Sequence, residues 1–281
     1  MDDMDGEWET LWRPASPQLR PYVAGYLAYR QTGGTPGVHR GLPSPYLTMI
    51  VAVDEPLTML AHPDPAQAGG DFWTLVGGLH AHPALIGHPG RQSGVQIGLR
   101  PLGLRALVGL PAGELFERDV AGDVVFGRLA AELHARVHEV STWEQRIQAV
   151  DRVLSRALRP APEVRGDVAW VWREILRTGG AVRVSDLAAE VGLSTRYLDT
   201  TMRRETGLSP KLAARVVRFD RATRRLMAGP ARLADIAAEC GYFDQAHLAR
   251  DFRDMAGCPP SRWLAEEFRF VQVDEDDAAA D

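Results

Sequence analysis

The chain has 281 residues, of which 45% are hydrophobic and 25% charged, and its net charge is −5 at pH 7. This length exceeds the usual single domain, and the composition is typical of a chain that buries real cores rather than of a disordered one. No apolar run approaches membrane-spanning length, and the acidic residues 1–10 lack the pattern of a signal peptide. We therefore expect a cytoplasmic protein with no membrane partner.

Short β-branched and apolar runs, separated by Gly- and Pro-rich turns, occur in the first 160 residues. They cover residues 46–53, 72–76 and 94–99, and such runs predict strands of a small sheet or barrel. Aromatic rings among them are candidates to wall a small-molecule pocket, with simple core packing as the alternative for each ring. The candidates are Tyr46, Phe72 and Trp73, with Tyr22 and Tyr26 as further members.

Histidines in the same region raise the alternative of a metalloenzyme. His80 and His82 form an H-x-H pair, and His39 and His88 lie elsewhere in this half; imidazoles at alternate strand positions would share one face. Residues 83–87 contain no Glu or Asp, so the expected carboxylate ligand is missing. The sequence also has no nucleophile-elbow, P-loop, C-x-x-C or H-E-x-x-H motif. We predict no metal, no cofactor and no catalysis, with these histidines in loops or lining a pocket.

Helical patterns precede the predicted domain boundary. Ser141 and Glu144 match a capping box that would open a helix ending near Leu158. A seven-residue apolar repeat favours packing within its own domain, with a homodimer interface as the alternative. Its members are Leu133, Val140, Ile147 and Leu154. Two prolines in residues 159–162 then predict a short stiff linker, which places the boundary near residue 160.

One helix-turn-helix pattern is written twice in residues 187–260. The offset between the copies is 49 residues from Leu187 to Ile236 and 50 residues from Leu198 to Leu248, as expected of duplicated supersecondary units. Two such units in one chain suit two neighbouring major grooves of DNA.

Local chemistry supports each copy. In the first copy, Gly192 can take the left-handed conformation that ends a helix, and Ser194 is a good N-cap for the next helix. Apolar pairs at i, i+4 would dock the second helix of each copy on its partner. The pairs are Leu198 with Met202, and Leu248 with Phe252. The predicted recognition helices cover about residues 194–206 and 245–255, joined by a long helix over residues 211–227.

Outward-facing polar residues of these helices are the candidates for DNA contact, because such side chains reach base edges in the major groove. In the first helix they are Arg196, Asp199, Thr200 and Arg203, with Arg196 as the best candidate for guanine. In the second helix they are Gln245, Ala246, His247 and Arg250. Arg183 and Arg232 stand at helix starts, where each opposes the helix dipole but can reach a DNA phosphate.

Charge and cysteine usage are uneven along the chain. Residues 181–232 carry eleven basic and five acidic residues, a net of +6, whereas residues 274–281 carry a net of −5. The acidic residues predict a disordered tail, for which solubility and competition with DNA for the basic face are the alternatives. The two cysteines, Cys240 and Cys258, favour buried structural thiols over a redox pair.

The repeat resembles the AraC/XylS family of bacterial transcription regulators over Val168 to Trp263. The resemblance is strongest in residues 235–237, 240–242 and 248–253, closing at Gly257, Pro260 and Trp263. The chain departs from the family pattern at four positions. These are Tyr242 for a usual Phe, Ala213 for a common aromatic, and Arg183 and Arg232 for small capping residues. Residues 98–115 are similar to the sensor half of one branch of the family, in which a cupin-like barrel precedes helices.

The resemblance implies an α+β fold with a sensor domain over residues 1–160, a DNA-binding domain over 161–273 and the acidic tail over 274–281. It implies a regulator that binds double-stranded promoter DNA and responds to a small-molecule effector. A homodimer, and contact with RNA polymerase if the protein is an activator, are further partners that the family suggests. The alternatives are a cupin-type metalloenzyme fused to a helix-turn-helix domain, and an effector-independent architectural protein.

Overall fold

The computed structural model describes residues 5–159 and 165–267, and within them a β-rich half precedes a helical half, as predicted. The strands are β1 (Asp5–Arg13), β2 (Val23–Gly34), β3 (Gly37–Gly41), β4 (Leu47–Ala52), β5 (Leu57–Ala61), β6 (Gly70–Phe72), β7 (Thr74–Gly77), β8 (Ala84–His88), β9 (Gln92–Leu99) and β10 (Asp119–Ala121). The helices are α1 (Leu104–Val108), α2 (Gly122–Phe126), α3 (Arg128–His138), α4 (Trp143–Ala157), α5 (Gly166–Arg177), α6 (Val184–Glu190), α7 (Thr195–Thr206), α8 (Pro210–Met227), α9 (Leu233–Glu239), α10 (Gln245–Ala256) and α11 (Pro260–Glu267).

The strands form two antiparallel sheets. One sheet has the order β1-β2-β9-β4-β7-β10, and the other has the order β3-β8-β5-β6. Strands β4 and β9 fall within or around the predicted runs 46–53 and 94–99, whereas the predicted run 72–76 is divided at Trp73 between the end of β6 and the start of β7. The remaining strands were not predicted, because several of them, such as Gly37–Gly41, are short and rich in glycine or polar residues.

Alternation along the larger sheet gives it two different faces. Met49 and Val51 belong to the main core, which also contains buried residues of α3 and α4. The intervening Ile50 packs instead with Met59 and Ile86 of the smaller sheet. The larger sheet therefore lies between a helical layer and the space enclosed by the second sheet.

Helices α3 and α4 correct one detail of the sequence analysis and bear out another. The capping box exists, but its members are Thr142 and Gln145, whose side chains each bond to the other's backbone, rather than Ser141 and Glu144. Three of the four residues spaced by seven are buried within the chain, so this stripe packs inward, as the favoured interpretation predicts. These residues are Leu133, Ile147 and Leu154.

The helical half contains both predicted helix-turn-helix units. They are α6 with α7 and α9 with α10, and α8 connects them. The buried hydrophobic residues of this half belong to one continuous cluster with the main core of the β-rich half. The predicted proline linker and acidic tail lie outside the described residues. No helix in the described part of the chain combines the length and apolar character needed to cross a membrane.

Candidate nucleic-acid interface and cavity

The first helix-turn-helix unit forms by the local interactions that its sequence predicts. Gly192 takes a φ of +66°, the left-handed region that lets the chain turn after α6. The Ser194 hydroxyl accepts a hydrogen bond of 3.2 Å from the Tyr197 amide and so caps α7. Leu198 and Met202 are fully buried beneath α7. The opposite side of α7 is thereby presented to solvent.

On that exposed side the four predicted DNA contacts are not equivalent. Arg196 is exposed, and the Thr200 hydroxyl donates to the Arg196 carbonyl at 3.1 Å. Asp199 and Arg203 form an ion pair of 2.8 Å, one helical turn apart. Each charge of that pair is partly satisfied already, so a base would have to compete with the partner side chain. Arg196, in contrast, is exposed at the start of α7 and is not part of that ion pair.

The second unit has the same architecture with a different cap. Asp244 accepts a hydrogen bond of 2.7 Å from the His247 amide at the start of α10, and Leu248 and Phe252 are fully buried. The predicted contact residues divide by exposure. Gln245, Ala246 and Arg250 are exposed. His247 is half-buried because its ring packs edge-on against Tyr242 at 5.1 Å.

Arg183 and Arg232 occupy the N-cap positions of α6 and α9, where neither side chain makes a capping hydrogen bond. Both are exposed, and Arg232 lies 3.9 Å from the Asp235 carboxylate. Both guanidinium groups are accessible to solvent, which is compatible with phosphate contact.

Helix α8 is tied firmly to the second recognition helix. Arg215 of α8 forms an ion pair of 2.8 Å with the buried Asp251 of α10, and a second one with Asp254. Burial opposes the charge of Arg215, but the hydrogen bonds to the two carboxylates outweigh it and raise its pKa. Phe219 and Phe252 pack at 4.9 Å between ring centroids. Helix α8, the strut between the two units, is therefore held to the second recognition helix by both ion pairs and aromatic packing.

Both cysteines of this half are buried free thiols. Cys240 follows α9 and Cys258 lies in the turn before α11. Burial raises the pKa of the Cys240 thiol, which keeps it in the unreactive protonated form. The prediction of structural thiols is confirmed, and the redox-pair alternative is not supported.

A cavity of about 130 Å³ lies between the two sheets and the helical half. A single water needs only about 10–15 Å³ on this measure, so a small molecule has room. Tyr46 is on the cavity wall. Phe72 instead packs edge-on against His62, and Trp73 interrupts the strand and turns outward against His134. The lining is mainly apolar and includes Leu27, Leu42, Ile50, Leu57, Met59, Leu75 and Ile86.

The remaining aromatic candidates also lie away from the cavity. The Tyr26 hydroxyl donates to Asp151 of α4 at 3.0 Å, on the helical side of the larger sheet, and burial raises its pKa. Tyr22 is half-buried against the main core. Because side chains alternate between the two faces of a strand, Tyr26 points into the main core, to which Met49 and Val51 also belong.

Two of the histidines line the cavity, but the H-x-H pair does not form a metal site. His80 lies on the wall, whereas His82 is exposed and bonds to Glu117 at 3.0 Å. Both residues lie in a loop rather than a strand, so they do not share a face. In the described part of the chain, no three His, Cys, Asp or Glu side chains are grouped to hold a metal.

The polar residues on the cavity wall include His39, His80, Arg40, Gln92, Gln96 and Asp119. Burial, aided by His88, lowers the pKa of His39 to about 3, and burial lowers the pKa of His80. Both rings are therefore uncharged at pH 7. Arg40 also lines the cavity, and its guanidinium is paired with Glu266 of α11 at 2.8 Å. A negatively charged ligand would find its counter-charge at Arg40.

The cavity wall includes residues of the helical half, which the sequence analysis did not anticipate. Thr223 and Met227 come from the C-terminal end of α8, and Trp263 comes from α11. A molecule in the cavity would thus touch both the sensor-like sheets and the strut that joins the two units. The contributing residues are far apart in sequence, so no local pattern signals them.

A second contact joins the β-rich half directly to the first recognition helix. Arg105 of α1 makes two hydrogen bonds, of 2.9 and 3.2 Å, to the buried Glu205 of α7. Beside it, a Cβ on Gly113 would stand 2.4 Å from the Arg204 carbonyl, so the turn at Gly113 can approach α7 only without a side chain. The C-terminal end of α7 is covered, whereas its N-terminal end, with Arg196, is open.

These features define a class of protein in which two capped helix-turn-helix units are joined by one connecting helix and follow a β-rich half with a cavity.

Comparisons with known proteins agree with this helix-turn-helix architecture. A family model described as a helix-turn-helix domain matches residues 187–266, and one described as a domain of unknown function matches residues 13–121. The Msm operon regulatory protein of Streptococcus mutans is 31% identical over 88 residues, which are 31% of this chain. The match covers 32%, or about a third, of that relative's length.

Among solved structures, ToxT from Vibrio cholerae shares the fold. Its apo K231A variant has a TM-score of 0.52 at 9% identity, covering 90% of this chain and 99% of that one. A form with a bound unsaturated fatty acid has a TM-score of 0.51 at 9% identity, covering 92% of this chain and 100% of that one. A probable AraC family transcriptional regulator from Rhodopseudomonas palustris is 32% identical over 35% of this chain and 94% of that one, with a TM-score of 0.32. These findings support the resemblance of the chain to the AraC/XylS family of transcription regulators.

Proposed function

We propose that this protein is a sequence-specific DNA-binding transcription regulator, without enzymatic activity, whose α7 and α10 enter two successive major-groove segments. The observation that carries the proposal is that α8 connects two recognition helices, each capped at its N-terminus and docked by buried apolar residues. Free exposed side chains at the N-terminal ends of both helices supply hydrogen-bond donors for base edges. A protein that binds chromosomal DNA acts in the cytoplasm, in line with the sequence-based expectation.

Arg196→Ala is expected to weaken binding to the selected operator by about 1–3 kcal/mol while leaving binding to random duplex nearly unchanged. The reason is that a base contact discriminates between sequences, whereas a phosphate contact does not. Operator sequences are first obtained by selection from a random duplex pool with the full chain. Competition titrations with operator and random duplex then measure both affinities.

Arg183→Ala is the matched comparison, because it removes the same group from a predicted phosphate contact. It is expected to weaken both duplexes alike and to reduce the salt slope of binding by about one. If Arg196→Ala weakened binding to operator and random duplex equally, Arg196 would be assigned to phosphate contact rather than base contact. If the wild-type chain selects no sequence at all, the proposed function itself is wrong.

We further propose that the cavity holds the effector and that the effector is an apolar monocarboxylate. The mainly apolar lining, the two neutral imidazoles and the single guanidinium of Arg40 support this class of ligand. The fold shared with a protein that has been crystallised with an unsaturated fatty acid points the same way. A ligand carboxylate at Arg40 would compete with Glu266, and its apolar part would reach Met227 at the end of α8.

Benzoate, whose ring suits a cavity of this size, is expected to bind the full chain and to change its tryptophan fluorescence, since Trp8 and Trp263 line the cavity. Arg40→Gln should weaken this binding about tenfold, because a charge-assisted hydrogen bond is lost. Arg136→Gln, on the exposed face of α3, is the matched control and should bind as the wild type does. Methyl benzoate, which has no charge, should bind Arg40→Gln and wild type equally. Equal benzoate affinity for both would exclude Arg40 as the carboxylate partner.

A further inference from the structure

The ring of Phe243 stands out on the surface of the described residues, with 93% of it exposed. It immediately precedes Asp244, the N-cap of the second recognition helix. Exposing a whole aromatic side chain forgoes the stabilisation of about 1.5–3 kcal/mol that its burial would give. A ring of this size in the open is therefore a candidate for contact with something outside the chain.

The backbone around Phe243 is fixed, so the exposed ring does not belong to a loose loop. The Phe243 amide donates to Nδ1 of His247 at 3.4 Å. The ring of Tyr242 is buried next to it, edge-on to His247 and beneath the Arg218 guanidinium at 5.1 Å. Tyr242 anchors the turn inward, and Phe243 is consequently held outward.

The first unit offers an internal comparison, because Leu193 precedes its N-cap Ser194 as Phe243 precedes Asp244. Leu193 is half-buried and packs against the core. The equivalent position in the duplicated unit is thus occupied by a residue that packs against the core in one copy and by a solvent-exposed aromatic ring in the other. The fold of the unit does not require an exposed ring there.

The neighbours of Phe243 point to DNA as the partner. Gln245 and Ala246 follow directly on the exposed start of α10, and Arg250 and Arg253 are exposed further along the same helix. A ring at this edge of a helix lying in the major groove is suited to apolar contact with the C5 methyl group of thymine. We propose that Phe243 reads a thymine in the half-site bound by α10. This inference rests on the proposed function.

The test uses the full chain and the operator recovered by selection. Phe243→Ala is expected to lower operator affinity about tenfold, and Phe243→Leu, which keeps an apolar group, to lower it less. Replacing the contacted thymine by deoxyuridine removes one methyl group and should cost the wild type about fourfold. The same replacement should cost Phe243→Ala nothing, since the methyl group then has no partner.

Val124→Ala removes another exposed apolar side chain, on α2, and is the matched control that should keep wild-type affinity for both duplexes. Thermal unfolding of Phe243→Ala should match that of the wild type, because the ring is exposed. The inference would be overturned if Phe243→Ala bound the operator as tightly as the wild type does. It would also be overturned if, at every thymine, replacement by deoxyuridine lowered the affinity of both proteins equally. Either result would leave a protein as the partner to test for the ring. Neither result would affect the proposed function, which fails only if the wild type selects no operator.

Discussion

Inserting five base pairs between the two half-sites of the operator is expected to lower affinity by about 10²–10⁴-fold, to that of a single half-site. The 18 residues of α8 make a strut about 27 Å long, which suits two recognition helices spaced by about one turn of DNA. Five added base pairs turn one half-site by roughly half a turn onto the opposite face of the duplex. Fluorescence anisotropy titrations of the full chain with both duplexes measure the loss.

A ten-base-pair insertion is the matched control that separates the effect of the duplex face from the effect of the distance between the half-sites. It restores the face of the duplex but moves the half-sites apart by about 34 Å, which a rigid strut cannot span, so the affinity should stay low. Footprinting on the native operator should show both half-sites protected with one chain bound per operator. Tolerance of the five-base-pair insertion, or protection of one half-site by each chain of a pair, would instead assign the second contact to dimerisation.

The helix-turn-helix units could be predicted because their determinants are local. Gly192, Ser194 and the docking pair Leu198 and Met202 all lie within eleven residues, and each acts through a backbone conformation, a cap or a helical face. The structure confirms all of these features. The capping box of α4 was misplaced by one residue because Ser141 and Thr142 are adjacent and have the same capping chemistry.

The cavity could not be predicted to the same extent, since it is built from contacts between distant segments. Trp263 lines it together with strand residues, and the Arg105–Glu205 ion pair joins positions 100 residues apart. Periodicity identifies aromatic residues in strands, but it does not say which layer they face. Of the aromatic candidates, Tyr46 lies on the cavity wall, whereas Trp73 lies in a break between β6 and β7 and turns outward.

The aromatic contact between Phe219 and Phe252 is one of the contacts that join α8 to α10, and Phe219→Ala is expected to lower the free energy of unfolding by about 3–5 kcal/mol. Phe219 is fully buried on α8, and its ring packs at an interplanar angle of 61° against Phe252, which is fully buried beneath α10. Removing the ring leaves a cavity between these two helices that the surrounding side chains fill only in part. Urea denaturation followed by circular dichroism measures the change.

Phe219→Leu is the comparison variant that tests the loss of aromatic packing in a protein that is still folded. It retains most of the apolar volume and should cost clearly less than Phe219→Ala, while Val124→Ala on the surface should cost little. Under conditions where Phe219→Leu is folded, its looser strut should reduce the penalty of the five-base-pair insertion, because α10 is then held less rigidly with respect to α7. A Phe219→Ala loss below about 1 kcal/mol would show that this pair is not part of a packed core. An unchanged insertion penalty in Phe219→Leu would leave the Arg215–Asp251 ion pair as the contact that fixes the spacing of the two recognition helices.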